Sequence, residues 1–94
     1  MAVFVVTWNL NQERSNYAEA RRAFIAHLER YPNRKDSGLE SVRWISTDKT
    51  PDQINDDLKS KLDRNDRIFI SRVNSLQNEG WLEKDTWAWI NQRL

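Results

Sequence analysis

The sequence predicts an α+β sandwich, with helices laid on one antiparallel sheet. Three observations carry that expectation. Runs of strand composition alternate with stretches whose apolar residues repeat at helical spacing. Helix start and stop signals fall between the two kinds of segment. The opening run, Ala2-Val3-Phe4-Val5-Val6-Thr7-Trp8-Asn9, is apolar on both faces, the pattern of a central strand covered on both sides.

Each element follows in order. Residues 3–9 are the first strand, and polar Asn9, Asn11 and Gln12 close it where α/β sheets commonly present their chemistry. A helix opens at Ser15 or Asn16, where Asn16 with Glu19 approximates a capping box. Tyr17, Ala20, Phe24, Leu28 and Tyr31 repeat along it, and Pro32 ends it. The turn-rich stretch 33–38 has room for a short edge strand, and Leu39 to Thr47 reads as a strand around Val42-Arg43-Trp44-Ile45. Thr50-Pro51-Asp52-Gln53 supplies an N-cap hydroxyl, a first-position proline, an acid at the positive dipole end and a capping-box glutamine. The stripe Ile54, Leu58, Leu62 is narrow, so this second helix should lie flat on something larger. Arg67 to Val73 is the last core strand, and residues 82–93 favour a helix, although Thr86-Trp87-Ala88-Trp89-Ile90 also suits a strand.

The order is β-α-(β)β-α-β plus a C-terminal appendage. Right-handed crossovers place the first strand beside the third at the sheet centre, with both helices on one face. This is a ferredoxin-like sandwich in a single domain, core 3–73 and appendage 81–94. Its second sheet face needs a cover. A second copy of the chain is the expected one, with the Trp-rich tail contributing, so the partner expectation is a two-fold homodimer.

Composition excludes several classes of activity. With no cysteine, thiol catalysis, disulfide frameworks and Cys-built zinc sites are ruled out. A single His leaves no His-rich metal cluster, and the net charge of +1 gives no general polyanion-binding field. No segment approaches a membrane span and no basic-then-apolar leader opens the chain, so a cytoplasmic protein is expected.

Three strings, in their order and spacing, resemble a known group. Val3-Phe4-Val5-Val6-Thr7-Trp8-Asn9-Leu10, Ser41-Val42-Arg43-Trp44 and Asp66-Arg67-Ile68-Phe69-Ile70 are similar to the small CRISPR-associated adaptation proteins. Those are ferredoxin-like dimers that partner the spacer integrase and are described as metal-dependent nucleases. The VapD-type ribonuclease toxins and the SinR-like small proteins share the plan. The resemblance spans roughly residues 3–73. It implies a nucleic-acid substrate and a Mg²⁺ ion held by an Asp that follows an aromatic residue at the end of the first strand. Here the matching pair is Trp8-Asn9, so Asn9 stands at the catalytic position. An uncharged amide binds Mg²⁺ much more weakly than a carboxylate, and cleavage of RNA or DNA is expected to be weak or lost. The resemblance further implies nucleic-acid contacts from Arg14, Arg21, Arg22 and Ser41.

Other residues read more plainly. Asn9 and Asn11 also suit local turn bonding, and Asp48, Asp63 and Asp66 occupy turns. His27 flanks the apolar stripe and has no partner acid identifiable by spacing. Asp52, Asp56 and Asp57 read as dipole partner and exposed surface. Trp81, Trp87 and Trp89 are interface anchors, with Trp87, Ile90 and Leu94 on one helical face and Trp81-Leu82 stapling its start. They frame the alternative reading, a protein-interaction module that docks an antitoxin, integrase or regulator.

Overall fold

A computed structural model describes residues 1–94. The elements are β1 (Ala2–Asn9), α1 (Tyr17–Leu28), β2 (Asn33–Arg34), β3 (Val42–Thr47), α2 (Pro51–Leu58), a 3₁₀ turn (Lys59–Lys61), β4 (Arg67–Val73) and α3 (Lys84–Arg93). The four strands form one sheet in the order β2-β3-β1-β4, with every neighbouring pair antiparallel. No helix is long and apolar enough to cross a membrane.

Local chemistry explains the helix ends. At Thr50 the capping box forms in full: Gln53 N donates to Thr50 Oγ1 at 3.2 Å and Thr50 N donates to Gln53 Oε1 at 2.9 Å. The box expected at Asn16 does not form, because Asn16 Oδ1 accepts from Arg14 Nε at 3.0 Å instead of from the helix. α1 stops at Leu28, short of Pro32, and its last carbonyls are met by turn bonds such as Tyr31 N to Leu28 O at 3.1 Å. α2 tightens into 3₁₀ after Leu58, so Leu62 reaches the core from extended backbone rather than from a third helical turn.

Strand alternation sorts the core into two layers. On one face Phe4, Val6 and Trp8 of β1 and Ile45 of β3 pack against Ala20, Phe24 and Leu28 of α1 and Ile54 and Leu58 of α2. The Trp8 and Phe24 rings meet at 5.2 Å, tilted by 54°, the offset geometry that aromatic pairs favour. Burial of each such large apolar side chain stabilises the fold by about 1.5–3 kcal/mol. Arg43 lies on this same face, 7% exposed, with Nη1 donating to Glu29 Oε2 and Asn33 Oδ1, both at 2.9 Å. An acid and an amide offset part of the cost of burying this guanidinium, whose Nε is left without a partner.

The opposite face is covered by the chain's own tail. Val3, Trp44 and Ile90 form a second cluster, with Val5, Val42, Val73, Leu82, Trp87 and Trp89 packed around it. Over Val3 and Trp44 the cover expected from a second copy is therefore supplied by α3. A polar latch docks this helix. Asp36 accepts from Glu83 N at 2.8 Å and from Gly38 N at 2.9 Å, while Glu83 Oε1 accepts from Ser37 N at 2.8 Å. Arg34 Nε adds a bond to Thr86 Oγ1 at 3.2 Å. The backbone N–H groups, Glu83 first and Gly38 next, hold the Asp36 carboxyl below its ordinary pKa. This anchoring centres the buried face of α3 on Thr86 and Ile90, leaves Trp87 and Trp89 half-buried on its flanks, and leaves Leu94 41% exposed. The staple expected at Trp81 does not form, since Trp81 is 100% exposed and only Leu82 reaches the cluster.

Candidate nucleic-acid interface

α3 covers only part of its sheet face. In the register of β1, Val5 lies between Trp44 and Ser71, Thr7 between Val42 and Phe69, and Asn9 opposite Arg67. The Val5 row lies within the Trp44 cluster and Val42 of the Thr7 row packs against it, whereas the β4 end of the Thr7 row and the whole Asn9 row run out toward solvent. Phe69 is 64% exposed there and Arg67 and Asn9 are both exposed. A shallow cleft of about 200 Å³ is lined by Thr7, Trp8, Asn9, Arg67, Ile68 and Phe69. Arg67 makes no ion pair: Nη1 donates to the carbonyls of Arg64 at 3.1 Å and Asp66 at 3.0 Å. Its charge is therefore not neutralised by any carboxylate. Exposed Arg64, also without an acidic partner, adds a second cation nearby in sequence.

The residues expected to bind nucleic acid fare differently. Arg14 is committed to the fold. Its Nη1 lies 2.9 Å from Asp66 Oδ2 and 3.3 Å from Asp63 Oδ2, and the Asp66 carboxylate, fully buried, also accepts from Asn11 N at 2.7 Å and Asp63 N at 3.0 Å. That cluster ties the β1–α1 loop to the loop before β4, so Arg14 is a structural cation. Arg21 sits 3.9 Å from Glu40, and Arg22 is exposed without an ionic partner. Ser41 precedes β3, half-buried, and its carbonyl accepts from Trp8 N at 3.2 Å. Asn11 Oδ1 accepts from Glu13 N at 3.1 Å, the local turn bond typical of Asn.

No three His, Asp or Glu side chains come together in a manner that would hold a metal ion. At Asn9 the fit to Mg²⁺ is poor for a further reason. The residue facing it across β4 is the cation Arg67, which repels a metal and attracts phosphate. The strand end thus has the electrostatics of an anion contact.

A second polar hub was not legible in the sequence. His27 Nε2 lies 2.9 Å from Asp57 Oδ1, and Tyr31 Oη donates to Asp57 Oδ2 at 2.5 Å. Arg30 also bonds Asp57, and Lys49 Nζ donates to Tyr31 Oη at 3.2 Å. Burial alone would raise the Asp57 pKa, but the donors Tyr31, Arg30 and His27 outweigh it and hold the carboxyl below its ordinary value. Tyr31 is shifted up, first by burial and then by its bond to Asp57. The hub pins the C-terminal end of α1 to α2, with the carboxylate consumed by its own donors.

Phe69 and Arg67 escaped sequence reasoning because Arg67-Ile68-Phe69-Ile70 reads as an apolar strand. The phase was available: Arg67 and Ser71 share one face, and Phe69 falls on it. A larger hollow of 660 Å³ lies between the β4–α3 loop and α3, but its one charged lining residue is Glu79, which disfavours phosphate. No protein-family model, no curated protein and no solved structure matches this chain.

Proposed function

We propose that this chain is a ferredoxin-like domain that binds single-stranded nucleic acid on the open end of its sheet. The order β2-β3-β1-β4, with α1 and α2 on one face, supports the fold assignment. The resemblance to the adaptation and VapD-type proteins supports the ligand class, and the observation that carries the reading is the exposed ring of Phe69 one row from the unneutralised Arg67. An aromatic face accepts any base, and a guanidinium beside it takes the phosphate, which is how sequence-tolerant single-strand binders work. Asn9 and Thr7 offer an amide and a hydroxyl to base edges or sugar. In this reading Asn9 contacts ligand and holds no metal, and no cleavage step is assigned to it.

Fluorescence anisotropy with labelled single-stranded RNA and DNA oligonucleotides tests the proposal. Phe69→Ala should weaken binding about tenfold, since one base stack contributes about 1–3 kcal/mol. Arg67→Ala should lower the slope of log affinity against log salt by about 0.7, one phosphate contact on a single strand. Binding that ignores both substitutions sinks the reading. A protein-docking role is favoured by a different observation, the 100% exposed Trp81 and 95% exposed Leu76 in the loop before α3. Trp81→Ala should leave oligonucleotide affinity unchanged, and loss of affinity in that variant alone would move the base contact from Phe69 to this loop.

A further inference from the structure

A second hollow adjoins the cleft on the open face. It encloses about 470 Å³ between the end of α2 and the start of β4. Its lining residues Leu62 and Ile68 pack against the core formed with α1 and α2, so it lies on the helix side of the sheet. Arg67 and Ile68 line both hollows, and the two therefore meet around the first residues of β4.

Charge is distributed unevenly in the helix-side hollow. It is lined by three cations, Lys59, Arg64 and Arg67, and two acids, Asp63 and Asp66. The acids are already engaged. The Asp66 carboxylate is fully buried against Arg14 and the N–H groups of Asn11 and Asp63. Asp63 Oδ2 lies 3.3 Å from the same guanidinium, and its Oδ1 accepts from Asn65 N at 2.8 Å. The cations are available. Arg64 and Arg67 have no carboxylate partner, and Lys59 meets only Asp56, at 3.1 Å in an exposed pair that water and salt screen.

We infer that a single strand seated on Phe69 rounds the sheet margin at Arg67 and places a second nucleotide in this helix-side hollow. The ligand class follows from alternation. Moving from one face to the other, an exposed ring (Phe69) is followed by a cation (Arg67), an apolar seat (Leu62 and Ile68) and two further cations (Arg64 and Lys59). A nucleic-acid strand alternates flat base and phosphate in the same way, and aliphatic side chains accept a base face as rings do. Asn55 supplies an amide to the second base or its sugar. A duplex, stiff over about 150 bp, cannot turn around the end of one strand. The path rests on the single-strand reading of Phe69 and Arg67, and adds to it a seat on the opposite side of the sheet.

The test uses the full chain, isotope-labelled, and a thymidine tetranucleotide as probe. Amide signals of Thr7, Asn9 and Phe69 should move together with those of Asn55, Lys59 and Arg64, all along one binding curve. Arg64 is exposed, so Arg64→Ala does not test the fold. This variant should lower the slope of log affinity against log salt by about 0.7, one phosphate contact on a single strand. Movement confined to Thr7, Asn9 and Phe69, with the slope unchanged in Arg64→Ala, would overturn the path and leave the open-face reading standing. Two sets of signals with different affinities would mean separate sites and would likewise overturn it. Movement confined to residues 55–64, with Phe69→Ala binding as the unsubstituted chain does, would overturn the open-face reading and the path together.

Discussion

At the scale of single residues, identical side chains meet opposite fates. Asp56 and Asp57 are neighbours on α2, yet Asp56 pairs only with Lys59 at 3.1 Å on the exposed side, while Asp57 turns inward to His27, Arg30 and Tyr31. The exposed i,i+3 pair contributes little because water and salt screen it. Removing Asp57 strands a buried phenol and leaves cations facing one another. Asp57→Ala should therefore destabilise the protein by about 2 kcal/mol and Asp56→Ala by less than about 0.5 kcal/mol in urea titrations. Equal effects would show that the hub is not a discrete interaction. Arg14 teaches the same lesson in reverse: a basic residue at the start of a helix looks available until Asp66 is found beneath it.

At the scale of elements, α3 is the informative case. Its residues fit either helix or strand by period alone, because Trp87 and Trp89 alternate while Trp87, Ile90 and Leu94 repeat. What decides is the partner: the sheet face above Val3 and Trp44 accepts a helix, and Asp36 and Glu83 fix its first turn reciprocally. Asp36→Ala removes the acceptor for two backbone N–H groups, and we expect the helix to dock less well. The expected readout is a red-shifted tryptophan emission with increased hydrogen exchange across 83–93, while the α1–α2 side keeps its protection. A uniform loss of protection would mean that α3 and the core unfold as one unit. By contrast α2 was legible to the residue at its start, since Thr50, Pro51 and Gln53 act within one turn and need no tertiary help.

At the scale of the whole molecule, stability should have an acid and an alkaline limb with different owners. Asp57 and Asp36 have folded-state pKa values below the ordinary 3.8, so their stabilisation is full above that value and lost as pH falls through the folded ones. Tyr31 is raised above 10.0, so its contribution is full below that value and lost as pH rises through its folded pKa. Unfolding free energy measured against pH should show a plateau between these limits. Asp57→Asn should flatten the acid limb, and Tyr31→Phe the alkaline one. A steep acid limb that survives both Asp57→Asn and Asp36→Asn would assign it to other carboxylates.

The sequence by itself determined what depends on near neighbours: the order of strands and helices, the capped start of α2, the apolar first strand, and the absence of thiol or His-cluster chemistry. Those are set by period, dihedral preference and side-chain type within a few residues. Only the tertiary structure decided which charges remain free and which aromatic rings remain bare. Arg14, Asp57 and Asp66 find their partners up to 55 residues away, as Asn11 finds Asp66. Phe69 stays exposed because the cover supplied by α3, latched at Asp36, does not reach the β4 end of its row. Long-range contact has no signature in local spacing, and the availability of a group is a property of everything that could have covered it.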